Sequence, residues 1–399
     1  MGGPVLVVAA AFASMLFGAN LAAPLYAGYA QQFGFSTAVL SLIFAVYALV
    51  LIPSLLVFGQ LSDALGRRPV IAAGLVLAIA GLILFALATS VGWLFAARVV
   101  QGLGQGMMSG AATAALAELV GGGNARRAAL MATIAQSGGA AVGVTLSGVL
   151  AQWAPAPKVL PYVVGMLACA AAAVSLRIVP ETTGRGEAPV HGRIRVRRPR
   201  VPAEIRGPFL RVGITAGAVW AVAGGLFLSV IPSYAGTLVL HTNNLALLGL
   251  VAALALGCSA LAQLAARRGA PPAQAQAGGL ILLALGLLGL VLSAPAHSLT
   301  LLVTGSVIAG AGHGLAFLAA QDDLTRIAPP EQRAEISAAF YVCIYLGVSV
   351  PVIGIGVLSV LTTLYIGVTT FAVITGMAAL TVAAWHLASA RRDRRAHEA

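Results

Sequence analysis

Long apolar runs alternate with short polar gaps over nearly the whole sequence. A helix that crosses a membrane needs about 20 apolar residues, because the hydrocarbon core is about 30 Å thick. Twelve runs reach that length, at 5–27, 38–61, 69–90, 92–119, 127–152, 159–179, 209–232, 245–266, 273–295, 298–320, 333–358 and 362–389. The pattern therefore predicts an all-α integral membrane protein with twelve spans. No charged residue precedes the first run, so we expect an uncleaved span there and not a signal peptide.

Composition excludes most soluble functions. Of the residues, 60% are hydrophobic and 9% are charged, against about 25% charged in soluble proteins. A net charge of +12 is typical of proteins with a nucleic-acid partner. The basic residues of this chain do not form a patch on one folded face, so we expect no nucleic-acid partner. The three cysteines lie inside apolar runs without CxxC spacing. We therefore expect neither a metal site nor a cofactor.

The basic residues set the expected orientation. Of the 23 lysines and arginines, 19 lie in alternate gaps, in the gap after span 6 or in the C-terminal tail. Positive loops stay in the cytoplasm, so both termini are expected on the cytoplasmic side of the plasma membrane. Lys158 lies in an outer loop, and Arg98 lies within a span.

The chain also divides into two similar halves. We expect a six-helix bundle over 1–179, a basic cytoplasmic linker over 180–208, a second bundle over 209–389 and a tail over 390–399. GQLSDALGRR at 59–68 is similar to AQLAARRGAP at 262–271, and the run from Gly102 is similar to the run from 309. Repeats of this kind are typical of transporters. The bundles are therefore predicted to be pseudo-symmetric, in a monomer.

Two motifs carry a resemblance to a known family. The gap between spans 2 and 3 contains a spaced set of residues, namely Gly59, Asp63, Gly66, Arg67 and Arg68. This set resembles the signature of the major facilitator superfamily, and Arg98-x-x-Gln101-Gly102 resembles a motif of its proton-coupled efflux branch. The resemblance implies secondary transport by alternating access. Arg67 and Arg68 can pair with Glu118, and the resemblance implies that this lock stabilises the outward-open state.

The gating spans depart from the efflux branch in one respect. That branch carries a proline in span 5, where this chain has Gly139 and Gly143 without it. A similar pattern with proline occurs in span 11, at Gly347 and Pro351. We expect both pairs to act in gating.

In the family, spans 1, 4, 7 and 10 line a central cavity. The cavity and coupling candidates here are Asn20, Tyr26, Arg98, Gln101, Gln105, Trp220 and His313. A charge within a span normally faces water or a partner, so Arg98 either contacts the substrate or a proton site, or donates to carbonyls of a neighbouring helix. His313 either titrates near neutral pH or is a packing residue.

The sequence favours one function and leaves others open. We expect proton-coupled efflux of a small amphiphilic molecule, with protons and the lipid bilayer as further partners. An uptake carrier or uniporter for a small organic anion is the alternative, and a non-transporting sensor or scaffold is a remote one. No GxxxxGK[ST] loop for nucleotide binding occurs, and no set of catalytic residues indicates an enzyme.

Overall fold

The computed structural model describes residues 2–121, 125–182, 201–266, 271–329 and 333–398. Side chains are not described at 37, 59–60, 63–64, 125, 333–335 and 392–398. All regular structure in these ranges is helical. The first bundle contains α1 Gly3–Asn20, α2 Tyr26–Phe33, α3 Thr37–Leu65, α4 Arg67–Ala86, α5 Val91–Val120, α6 Ala125–Trp153 and α7 Leu160–Ser175. The second contains α8 Arg206–Trp220, α9 Ile231–Tyr234, α10 Leu245–Ala265, α11 Pro272–Ser293, α12 Leu299–Ile327, α13 Arg333–Leu361 and α14 Leu364–Glu398.

Eleven of the described helical segments are long and apolar enough to cross a membrane. The 30-residue helix α5 is not among them, because Arg98, Gln101 and Gln105 lower its mean hydropathy. With α5 the layout is the predicted one of six spans plus six. The last helix continues to Glu398, so the predicted tail is a helical extension in the described residues.

Two spans are interrupted, a feature that the hydrophobic pattern did not predict. In span 1, α1 ends at Asn20, and a short 3-10 turn at Ala23–Leu25 leads into α2. Pro24 has no N–H to donate, so an α-helix cannot run through it unchanged. Span 7 contains a π-helical turn at Ala221–Phe227, and a second π turn follows the span at Ala235–Val239. A π turn changes the spacing of side chains along a helix. The hydrophobic pattern of the sequence therefore does not reveal where such a turn lies.

Equivalent contacts recur in the two bundles. The Tyr29 hydroxyl donates to the Phe85 carbonyl at 3.3 Å, and the Tyr234 hydroxyl donates to the Leu290 carbonyl at 3.0 Å. Both pairs are separated by 56 residues. Gly102 lies against the carbonyl of Tyr47 in the first bundle, and Gly310 lies against that of Ala255 in the second. The predicted pseudo-symmetry is therefore visible in the packing.

The bundles meet along two seams. Along the first, α6 contacts α10 at several heights: Arg126 donates to the Ala266 carbonyl at 2.7 Å, and the Gln152 side chain accepts from the Leu245 N–H at 2.8 Å. Along the second, α3 contacts α13, and Leu51 of α3 packs into the apolar core of the second bundle. We call the end of the molecule that carries Arg67 and Arg126 the basic face.

Candidate functional site

The interruption of span 1 is held by side chains of α5 and α6 and by one side chain of its own. Backbone carbonyls that a broken helix frees must find donors, because the hydrocarbon core offers no water. The Arg98 Nη1 donates to the Ala19 carbonyl at 3.1 Å, and the Asn20 amide donates to the Leu16 carbonyl at 2.8 Å. Ser147 of α6 donates to the Leu21 carbonyl. The bend is therefore defined by tertiary contacts.

Arg98 is enclosed by aromatic rings. Its guanidinium carbon lies 5.0–5.6 Å from the ring centroids of four residues, Tyr26, Phe44, Tyr47 and Phe85. The aromatic faces attract a cation, and more strongly when water is excluded. Arg98 also donates from Nε to the Tyr26 hydroxyl at 2.7 Å and from Nη1 to Gln101 at 3.0 Å. These contacts offset the cost of burying a guanidinium group that is 3% exposed.

Four of the predicted cavity residues thus lie together inside the first bundle. Asn20, Tyr26, Arg98 and Gln101 surround the bend of span 1. The partners that the structure gives Arg98 all belong to that bundle, and one of them is a backbone carbonyl. Two roles were considered for Arg98. In this conformation it takes the second, since it donates to a backbone carbonyl of a neighbouring helix.

Polar side chains of α5 and α13 meet at the interface between the bundles. Tyr345 lies 3.5 Å from Ser109, and Tyr341 lies 2.9 Å from Thr113, hydroxyl to hydroxyl. Gln105, a predicted cavity residue, donates to Ser109 at 3.0 Å. These residues fall on one face of α5 because they recur at helical spacing. They connect the two halves without a charged group.

A second polar cluster contains His313. Its Nδ1 lies 2.8 Å from the Ser259 hydroxyl, and Ser259 donates across the seam to Ser137 at 3.4 Å. Gln263 donates to Ser259 at 3.1 Å. Trp220 meets His313 edge to face, with ring centroids 5.3 Å apart. Trp220 ends α8 directly before the π turn of span 7.

These two clusters contain buried polar atoms without a partner. They are Gln105 Oε1, Trp220 Nε1, Gln263 Oε1 and His313 Nε2. A buried polar atom without a hydrogen bond costs about 1–3 kcal/mol, so such atoms are retained where water, a ligand or a second conformation can satisfy them. Acceptors, a donor and a titratable nitrogen therefore lie along the interface. The sequence did not indicate Ser137, Ser259 or Gln263, because single serines and glutamines in apolar runs give no motif.

The ion pair expected between Arg67 and Glu118 is present at the basic face, and its role as a lock stays a prediction. Arg67 donates from Nε and Nη2 to one oxygen of Glu118, at 3.2 and 3.0 Å. Arg67 also donates to the Ser62 hydroxyl at 2.6 Å. The side chain of Asp63 and the position of Gly59 in the packing lie outside the described part of the structure. The ion pair joins the start of α4 to the end of α5.

Sequence reasoning missed Glu181, which lies at the start of the linker. Its carboxylate accepts the backbone N–H of Arg67 at 2.7 Å and that of Arg68 at 3.3 Å. A carboxylate at a helix N-terminus satisfies free N–H groups and interacts favourably with the helix dipole. The neighbouring Thr182 donates to Glu118. An acidic residue at the start of a mainly basic segment was the signal available in the sequence.

Gly66 is required for this arrangement. Its backbone has φ +101°, a region that residues with a side chain rarely adopt. A Cβ at this position would lie 2.6 Å from a carboxylate oxygen of Glu181. The signature glycine thus leaves room for an interaction with a residue more than 100 positions away.

The predicted gating glycines are at helix contacts within each bundle. Side chains at Gly139 and Gly143 of α6 would overlap the carbonyls of Ala13 and Phe17 in α1. In the second bundle, a side chain at Gly347 of α13 would overlap the carbonyl of Gly217. Pro351 lies inside α13 four residues later. The glycines allow the helix backbones to approach closely, and a role in gating stays a prediction.

The comparisons with known proteins concern almost the whole chain. A profile of the major facilitator superfamily matches residues 7–352. The crystal structure of the human organic anion transporter MFSD10 (TETRAN) superposes with a TM-score of 0.76 at 18% sequence identity. The match covers 96% of this chain and 99% of that one. At this identity the likeness concerns the fold. The search of curated proteins found no match.

Proposed function

This chain belongs to the major facilitator superfamily, and we propose that it is a proton-coupled exporter of a small amphiphilic molecule. Membership makes it a secondary transporter with a small-molecule substrate and a lipid environment. The charge pattern supports cytoplasmic termini, a cytoplasmic linker at 180–208 and insertion in the plasma membrane. The bundles 1–179 and 209–389 would rock about the two seams, in a protein that works as a monomer.

The observation that carries the proposal is the set of unsatisfied polar atoms at the interface. An amphiphile can cover the apolar lining while its polar group satisfies Trp220 Nε1, Gln105 Oε1 or His313 Nε2. Since each atom is buried and unpaired in this conformation, opening the interface to a ligand removes an energetic cost. Binding energy is then available to favour one conformation over another.

The proton site is proposed at His313. Imidazole is the side chain that titrates closest to neutral pH, and His313 is 1% exposed here. A group that is closed to water in one conformation and open in another can bind a proton on one side and release it on the other. Ser259 links it through one hydroxyl to Ser137 of the first bundle, so its protonation and the seam would be coupled.

The organic-anion alternative is favoured by one observation, the likeness of the fold to a transporter described as handling organic anions. The counter-charge proposed for it was Arg98. Arg98 is enclosed in this conformation by aromatic rings and by three hydrogen bonds. An anion would have to displace those contacts, and for this reason export of an amphiphile is the preferred proposal.

Transport in vesicles of purified protein tests the proposal. We expect an imposed pH gradient to drive accumulation of a cationic dye or a neutral amphiphile. His313→Gln should abolish accumulation while downhill exchange continues, because glutamine can hydrogen bond to Ser259 but cannot carry a proton. His386→Gln is the matched control, since His386 is also buried in the second bundle and bonded to a hydroxyl, that of Thr215.

Three results would contradict parts of this account. If His313→Gln still concentrates the dye, the proton site lies elsewhere. If wild-type transport ignores the gradient, the protein is a uniporter. If only organic anions are moved, the alternative replaces the proposal.

A further inference from the structure

We propose that His241 and His297 bind a divalent transition-metal ion of the zinc class at the face opposite the basic face. His241 follows the π turn Ala235–Val239, which comes after span 7, and His297 lies between α11 and α12. The two imidazole rings approach each other from different loops, with centroids 5.7 Å apart and planes inclined by 39°. Both side chains are exposed, so an ion can reach them from water.

The separation of the rings suits a shared metal. Zinc bonds to imidazole nitrogen at about 2.0–2.1 Å in tetrahedral geometry. Two imidazoles on one such ion place their ring centroids roughly 5–5.7 Å apart. The observed 5.7 Å falls in that interval. The separation suits a shared ion once each ring turns one of its nitrogens toward it.

The backbone of both histidines is unusual. His241 has φ 49° and His297 has φ 45°, a left-handed conformation in which glycine or asparagine ends many helices. In the first bundle the loop after span 1 has Gly34 with φ 66°. In the second bundle the comparable turn, after span 7, has His241 in place of a glycine. A glycine would adopt this backbone conformation with less strain. Strain of this kind is often retained for function.

Hydrogen bonds fix both loops. On the first side, the Thr242 N–H donates to the Gly236 carbonyl at 3.0 Å. On the second, the His297 N–H donates to the Ala294 carbonyl at 3.0 Å, and the Ser298 N–H donates to Ser293 at 2.9 Å. The two Cα positions are therefore held before an ion binds, which lowers the entropy cost of binding.

The composition of the site determines which ions it prefers. Among the described residues, no third histidine, cysteine or carboxylate joins the pair, so water would fill the other positions. Imidazole suits zinc, copper and nickel, whereas magnesium and calcium prefer oxygen ligands. Both loops belong to the second bundle, so a bound ion would join α9 and α10 to α11 and α12 without crossing a seam.

Thermal unfolding of the full-length protein, purified through a tag without histidine, tests the site. We expect Zn²⁺ or Ni²⁺ to raise Tm and Mg²⁺ to leave it unchanged, because an ion that binds only the folded state stabilises it. His241→Asn and His297→Asn should each weaken the binding of Ni²⁺ at least about tenfold, because the second ligand no longer contributes by proximity. Asparagine is chosen because it tolerates the left-handed backbone.

Asn243→Ala, in the same loop as His241, is the matched control and should retain the metal-dependent rise in Tm. Binding of Ni²⁺ by titration calorimetry gives a second measurement for any variant whose Tm without metal has changed. The proposal is overturned if wild-type protein shows no response to Zn²⁺ or Ni²⁺, which would make the ring contact simple stacking. It is also overturned if both asparagine variants respond as wild type does, which would place the ion elsewhere.

Discussion

Replacing Arg98 by alanine should abolish transport and lower the free energy of unfolding by about 3–5 kcal/mol. The variant leaves the Ala19 carbonyl and the Tyr26 hydroxyl without their donor. It also empties the space between the aromatic rings that enclose the guanidinium. Both losses occur at the bend of span 1, where no water can replace the missing hydrogen bonds. The bend should then lose its fixed geometry.

Arg98→Lys should recover little of this loss. An ammonium group keeps the charge and the attraction to the rings, but it cannot donate in the fixed directions of the guanidinium. Thermal unfolding in detergent and dye efflux from cells expressing equal amounts of protein measure the two effects. Arg177→Ala is the matched control, because Arg177 is exposed at the end of span 6. Normal transport by correctly inserted Arg98→Ala protein would show that the bend does not depend on Arg98.

Glu118→Gln should open the basic face and slow transport several-fold. Glutamine keeps the size of the side chain, but its interaction with Arg67 loses the charge that makes such hydrogen bonds strong. A loss of about 1–2 kcal/mol corresponds to a five- to thirtyfold change in a conformational equilibrium. Substrate binding should be spared, because the pair lies at the basic face and away from the interface clusters.

Labelling of a single cysteine near the basic face by a water-soluble maleimide measures the opening. Glu181→Gln should act in the same direction, since it weakens the interaction with the first N–H groups of α4. Glu204→Gln makes the same change of charge at an exposed position and should have no effect. Unchanged labelling and turnover in both Glu118→Gln and Glu181→Gln would exclude a lock at this position.

The fold was predictable because each span must bury about the same length in the membrane. Span 9 was predicted at 273–295 and is observed at Pro272–Ser293, an error of one or two residues. The bend in span 1 was not predictable from its own residues. Pro24 lies in an apolar run, and the donors that make a break tolerable, Arg98 and Ser147, are far away in the sequence.

The candidate site was predictable where a motif or the family resemblance carried it. Opposite charge and the family resemblance predicted the pairing of Arg67 with Glu118, and the spans that line the cavity in the family pointed to Gln105 and His313. The seam residues Ser137, Ser259 and Gln263 could not be found, because their significance depends on which helices touch. Arg98 was recognised as a buried charge, but the rings that enclose it come from spans 1, 2 and 3.

A reversible cross-link across one seam tests alternating access most directly. The hydroxyl oxygens of Ser137 and Ser259 lie 3.4 Å apart, one from each bundle. Ser137→Cys with Ser259→Cys, in a chain whose native cysteines are replaced by alanine, should form a disulfide between α6 and α10. Gly213→Cys in a chain that keeps Cys343 and has alanine at the other two native cysteines is the control, because both positions lie in the second bundle and a Cβ at 213 would be 3.0 Å from the Cys343 sulfur.

The measurement is downhill dye exchange in vesicles before oxidation, after oxidation and after reduction, because replacing Ser259 also removes the hydroxyl that contacts His313 and would alter pH-driven transport by itself. We predict that oxidation of the seam pair stops transport and that reduction restores it, while the control pair transports throughout. Undiminished transport by protein whose seam disulfide is fully formed would contradict the account. It would show that the transport cycle does not require the bundles to separate along α6 and α10.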